Sequence, residues 1–71
     1  MILYELRAIV RNTRRTDIKV SLLVRNMIDR KIIEFVLPAH FPLVKARIIE
    51  YLRKELKVQK EEIGIPKHIF P

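Results

Sequence analysis

The hydrophobic pattern of this 71-residue chain changes period once, at Pro38. That single change limits the fold to two unlike parts. Before Pro38, apolar residues recur at every second position; after it they recur at every third or fourth. In residues 2–11, Ile2, Tyr4, Leu6, Ala8 and Val10 fall on one side, with Leu3, Glu5, Arg7, Ile9 and Arg11 on the other. Such alternation is the signature of a strand, because successive side chains point to opposite faces of a sheet. The polar residues 12–17 begin and end with turn formers and predict a hairpin loop. Residues 18–25 alternate again, Ile18, Val20, Leu22 and Val24 against Lys19, Ser21, Leu23 and Arg25. A turn around residues 26–30 then leads into a third strand over 31–37. Pro38 ends it, since proline cannot donate to a ladder.

Beyond that point Pro42 suits the first turn of a helix. Val44, Ile48, Tyr51 or Leu52, and Leu56 follow at helical spacing, so the pattern predicts one amphipathic helix over 42–57. Residues 58–71 hold apolar groups able to dock, but Gly64 and Pro66 preclude a long regular element. The expected fold class is α+β, a single domain over 1–71. It is a three-stranded antiparallel β-meander packed against one C-terminal amphipathic helix (β-β-β-α), with an ordered tail. Sequential antiparallel strands joined by short turns need no crossover.

One helix covers one face of a sheet. Uninterrupted alternation places Tyr4, Leu6, Ala8 and Val10, with Ile18, Val20, Leu22, Val24, Ile33, Phe35 and Leu37, on the covered face. The open face then carries Arg7, Arg11, Lys19, Ser21 and Arg25 among the aliphatics Leu3, Ile9, Leu23, Ile32 and Val36. Five large aliphatics are more than a monomer ordinarily exposes in one patch. Leu3, Ile9, Leu23, Ile32 and Val36 are therefore expected to form an interface, covered by a second subunit or by the tail. No aromatic ring belongs to the outward set, so stacking of single-stranded bases on the sheet is not expected.

Charge divides along the chain as well. Fifteen Lys and Arg against eight Asp and Glu give a net charge of +7. Residues 1–31 hold eight bases and three acids, a net +5, which leaves +2 for the rest. Arg11, Arg14 and Arg15 gather within the first hairpin, with Lys19 just after it; Arg25, Arg30 and Lys31 form a second cluster at the other end of the sheet. A field of this sign attracts polyanions, and the planar guanidinium fork matches phosphate. These seven residues are the expected contacts to nucleic acid, DNA or RNA, in a basic, non-enzymatic protein acting as a homodimer. Phosphate contacts of this kind position a protein without reading sequence. The alternative is a protein–protein interaction module or a small subunit of a larger assembly, including a ribosome-associated or virus- or plasmid-encoded adaptor. It would use the aliphatic open face.

Other chemistry finds little support. The chain has no cysteine, which excludes disulfides and thiolate metal sites, and His40 and His68 lie far apart in sequence. Ser21 is the only serine, and no glycine-rich loop is present. No enzyme, metal, cofactor or small-molecule substrate is expected. Glu5 and Arg7 interrupt the only apolar N-terminal stretch, and no run reaches the roughly 18–20 apolar residues of a membrane span. A cytoplasmic protein without membrane contact is the expectation. Frequent Ile, Lys, Glu and Arg with a single Gly lean toward heat tolerance, as in proteins of thermophiles.

Overall fold

The two alternating stretches pair with each other as one long antiparallel hairpin. The computed structural model describes residues 1–14 and 17–70. The strands are β1 (Tyr4–Arg14), β2 (Asp17–Asn26) and β3 (Ile32–Val36). The helix α1 (Lys45–Leu56), a 3-10 turn at Lys60–Glu62 and a short strand β4 (Ile63–Gly64) follow. The protein is α+β, with a mixed four-stranded sheet in the order β3-β2-β1-β4 and one helix. The expected three-stranded meander is thus present as β1–β2–β3 but incomplete, because the tail adds β4 parallel to β1. Its anchor is the Leu3 N–H, which donates to the Glu62 carbonyl at 2.8 Å, followed by the pairs Tyr4↔Ile63 and Glu5↔Gly64. Since β3 and β4 run in the same direction, α1 serves as the crossover that a parallel arrangement requires. Gly64 suits this edge: a Cβ there would lie 3.0 Å from Cγ2 of Ile2.

The helix is shorter than its periodicity suggests. Residues 42–44 lie outside it, with Val44 extended at φ −119°, ψ 148° and no side-chain cap. Phe41, preceding Pro42, packs edge-on against Tyr51 with ring centroids 5.4 Å apart, and this contact ties the β3–α1 loop to the helix face. At the other end Lys57 adopts the left-handed conformation, φ 56°, ψ 49°, and its N–H caps the Arg53 carbonyl. Arg53 and Lys54 occupy the last turn, where cations complement the helix dipole. Ile48 and Leu52, one turn apart, are fully buried against Leu6, Leu22 and Val24 of the sheet. Leu37 and Ile63 close the core at either side, and Ile65, Ile69 and Phe70 of the tail pack around it. No described helix is long and apolar enough to cross a membrane.

A bulge overturns half of the face assignment expected for β1. Leu6 pairs with Val24 but Ala8 pairs with Leu23, so Arg7 is an extra residue in β1. Because side chains alternate with period two, one inserted residue moves every later side chain to the opposite face. Tyr4 and Leu6 face the helix as expected. After the bulge it is Ile9, opposite Leu22, that packs against the core. Ala8 and Val10, expected inside, lie on the open face, where Val10 is 41% exposed. Ile9 is accordingly removed from the open-face interface.

Candidate nucleic-acid interface

Pro38 cuts β3 short, and the hairpin outruns its neighbours for that reason. β3 pairs with β2 only from Ser21 to Arg25, with one further bond from the Leu37 N–H to the Val20 carbonyl at 2.9 Å. β4 reaches only Tyr4 and Glu5 of β1. Among the described residues, the rungs from Arg11↔Val20 to Arg14↔Asp17 thus have no third strand beside them. Residues 10–14 and 17–19 are all exposed. They form a two-stranded ribbon at one end of the sheet.

The register fixes what each face of the ribbon carries. Arg11 and Thr13 share one face with Ile18 and Val20; Asn12 and Arg14 share the other with Asp17 and Lys19. On the first face, Arg11, Ile18 and Val20 look across a cleft of about 450 Å³ to Leu37, Phe41 and Leu43. Ile18 is 70% exposed there. The second face is a shallow hollow of about 280 Å³ bounded by Asn12, Arg14, Asp17 and Lys19.

The ribbon's cations are not neutralised internally. Among the described residues, ion pairs within 4.0 Å join Arg7 to Glu5, Arg53 to Glu50 and Lys54 to Glu50. Arg11, Arg14 and Lys19 take part in none of them, although Asp17 is the rung partner of Arg14. Arg15 lies outside the described residues. Arg7, at the bulge, is held by Glu5 at 2.6 Å and contributes little free charge.

Arg25, Arg30 and Lys31 do not join this group. β2 is ten residues long, roughly 30 Å, and they sit at or beyond its far end. Arg25 is half-buried between its strand partners Glu5 and Ile32, and its Nε–H is buried with no acceptor among the described residues. Arg30, at φ 66°, and Lys31 are exposed on the β2–β3 turn. Asn26 Oδ1 accepts the Ile28 N–H at 2.9 Å, and Asp29 Oδ1 accepts the Lys31 N–H at 2.9 Å, which fixes the turn. The six described members of the expected contact set therefore lie at the two ends of the sheet, Arg11, Arg14 and Lys19 at one and Arg25, Arg30 and Lys31 at the other.

The helix adds no comparable patch. Glu50 accepts two hydrogen bonds from Arg53, at 2.7 and 3.1 Å, and lies 3.8 Å from Lys54. The Arg53 guanidinium holds the Glu50 carboxyl below its usual range, and Glu50 in turn raises Arg53. On the open face Ile32 and Val36 are exposed, Leu23 and Leu3 are half-buried, and Ser21 is buried between its neighbours Val10 and Val36. Asn12 and Asp17 line the same hollow as Arg14 and Lys19, and their period-two spacing from those residues is the sequence signal that places them there. No group of His, Cys, Asp or Glu among the described residues could hold a metal ion. No family model, curated protein or solved structure matches the chain.

Proposed function

We propose that the chain is a non-enzymatic nucleic-acid-binding protein that grips the phosphate backbone through the β1–β2 ribbon. The observation that carries this reading is the presence of three cations, Arg11, Arg14 and Lys19, on an exposed ribbon, none of them in an ion pair among the described residues. Adjacent Arg15 adds a fourth charge in sequence. Each phosphate neutralised releases counterions, so four contacts give a slope of log K against log salt of about −3.6 for duplex DNA. If Arg25, Arg30 and Lys31 bound as well, the slope would steepen to about −6. Titration of a labelled generic duplex at several salt concentrations measures this directly. Replacing Arg14 or Lys19 with Ala should weaken binding and flatten the slope by about one. Absence of binding at low salt would refute the proposal. The reading calls for no cofactor.

A second reading follows from the open face. Val10, Ile32 and Val36 are exposed around half-buried Leu23, a surface suited to a second copy or another protein. It is tested by the solution mass of the protein and of Leu23→Glu. A monomeric mass for both at high concentration would dispose of self-association.

A further inference from the structure

The two faces of the ribbon differ in chemistry. One carries the aliphatics Ile18 and Val20 and is flanked by the loop bearing Phe41 and Leu43. The other carries an amide, a guanidinium, a carboxylate and an ammonium group on the same-side rungs Asn12↔Lys19 and Arg14↔Asp17, with nothing apolar between them. The loop shares a cleft with the first face and touches the polar one only at Asp17, which leaves Asn12, Arg14 and Lys19 open to a ligand.

Its spacing fits a particular ligand. Same-face residues two apart along a strand are separated by about 6.7 Å. Two base-pair steps of B-form DNA rise about 6.8 Å. A two-stranded ribbon fits the major groove of B-DNA, about 12 Å wide, and exceeds the minor groove at about 6 Å. The deep, narrow major groove of A-form RNA does not admit side chains. The four groups also match base edges: guanidinium and ammonium to guanine, the Asn amide to adenine, and a carboxylate to the cytosine amino group. Asp17 is the informative member. A surface that only gripped phosphate would bind better without a carboxylate beside Arg14, yet Asp17 occupies the rung opposite it, at the edge shared by the polar hollow and the apolar cleft, and among the described residues forms no ion pair with Arg14.

We infer that the Asn12, Arg14, Asp17 and Lys19 face of the ribbon lies in the major groove of B-form DNA and reads base edges; this moves Arg14 and Lys19 from phosphate to bases, leaves Arg11 and the adjacent Arg15 for phosphate, and lowers the expected salt slope on the selected motif from about −3.6 to about −1.8. This rests on the nucleic-acid reading above and names its ligand as duplex DNA. The test uses the full chain. A randomised duplex DNA pool is selected for binding, and the enriched sequence is compared as B-form DNA, as duplex RNA, and as DNA whose cytosines carry glucosylated hydroxymethyl groups that fill the major groove. A defined motif containing G·C pairs should emerge. The RNA and the groove-filled DNA should bind at least roughly tenfold more weakly. Asp17→Asn should bind unselected DNA more tightly while losing its preference for the motif. No enriched motif, or equal affinity for the three duplexes, overturns the groove inference and leaves the backbone grip intact. Binding to none of them at low salt removes both.

Discussion

Truncating two neighbouring residues of β1 tests the bulge on which the ribbon's face assignment depends. With Arg7 extra, Ile9 opposes Leu22 inside and Val10 opposes Ser21 outside. Uninterrupted alternation would reverse the two. Removing the outer carbons of a fully buried isoleucine costs about 2–5 kcal/mol. Ile9 is half-buried against the core, so Ile9→Ala belongs near the lower end, about 2 kcal/mol. Val10 is 41% exposed and lies on the open face, so Val10→Ala should cost about 0.5 kcal/mol or less. In urea, with a denaturant slope of about 1 kcal/mol per molar for so small a protein, the midpoints should fall by about 2 M and less than about 0.5 M respectively. A deletion provides the complementary test. Removing Arg7 joins Leu6↔Val24 directly to Ala8↔Leu23 and keeps Ile9 inside, so the shortened chain should fold with its core unchanged. It loses only the bend and the Arg7–Glu5 ion pair. A larger midpoint loss for Val10→Ala than for Ile9→Ala, or an unfolded deletion variant, would refute the register.

Two further perturbations bear on the helix. Lys57 is held at φ 56° without the freedom of glycine, so Lys57→Gly should raise the urea midpoint by an amount equivalent to about 0.5–1 kcal/mol; a lowered midpoint would mean that the lysine side chain does more at the cap than its backbone suggests. Burial, and after it the nearby Glu55 carboxylate, raises the Tyr51 phenol above its usual value of 10.0. The fold thus favours the protonated phenol: its contribution is complete below pH 10.0 and is lost as pH rises through the higher folded value. Urea midpoints measured on either side of that range should decline with pH, and the decline should be shallower in Tyr51→Phe.

Much of this architecture is legible in the residues. The period change at Pro38 divides sheet from helix, the three antiparallel strands follow from alternation and turn residues, and Ile48 and Leu52 identify the buried stripe. The bulge is not legible. Arg7 is neither glycine nor a turn former, and its neighbours Leu6 and Ala8 continue the alternation without a break. Only the fit of Ile9, in place of a smaller Ala8 or Val10, against Leu22 and the helix selects the shifted register. β4 is hidden for a different reason. Two residues in length, it has no periodicity of its own and exists because the Leu3 N–H and Glu62 carbonyl meet across the sheet edge. The site was half legible: Arg11, Arg14 and Lys19 stand out as charges and the face of Lys19 follows from alternation in β2, but the faces of Arg11 and Arg14 depend on the bulge.

The unsupported ribbon also has an energetic meaning. A two-stranded hairpin alone is at best marginally stable in water. Residues 10–14 and 17–19 contribute no fully buried side chain, and their cations repel one another. Stability selects against such a structure, since ending the hairpin at the level where Leu37 meets Val20 would keep the entire core and remove the repulsion. What the extra rungs add is reach: beyond the outline set by the helix and β3 they carry an amide, a carboxylate and two cations, Arg14 and Lys19, that join no ion pair among the described residues. A polyanion seated on them would relieve the repulsion that the folded chain bears alone, so the proposed binding would be coupled to ordering of the ribbon. Nucleic acid should therefore slow amide exchange in the ribbon far more than in Leu22 or Val24, which the core already protects.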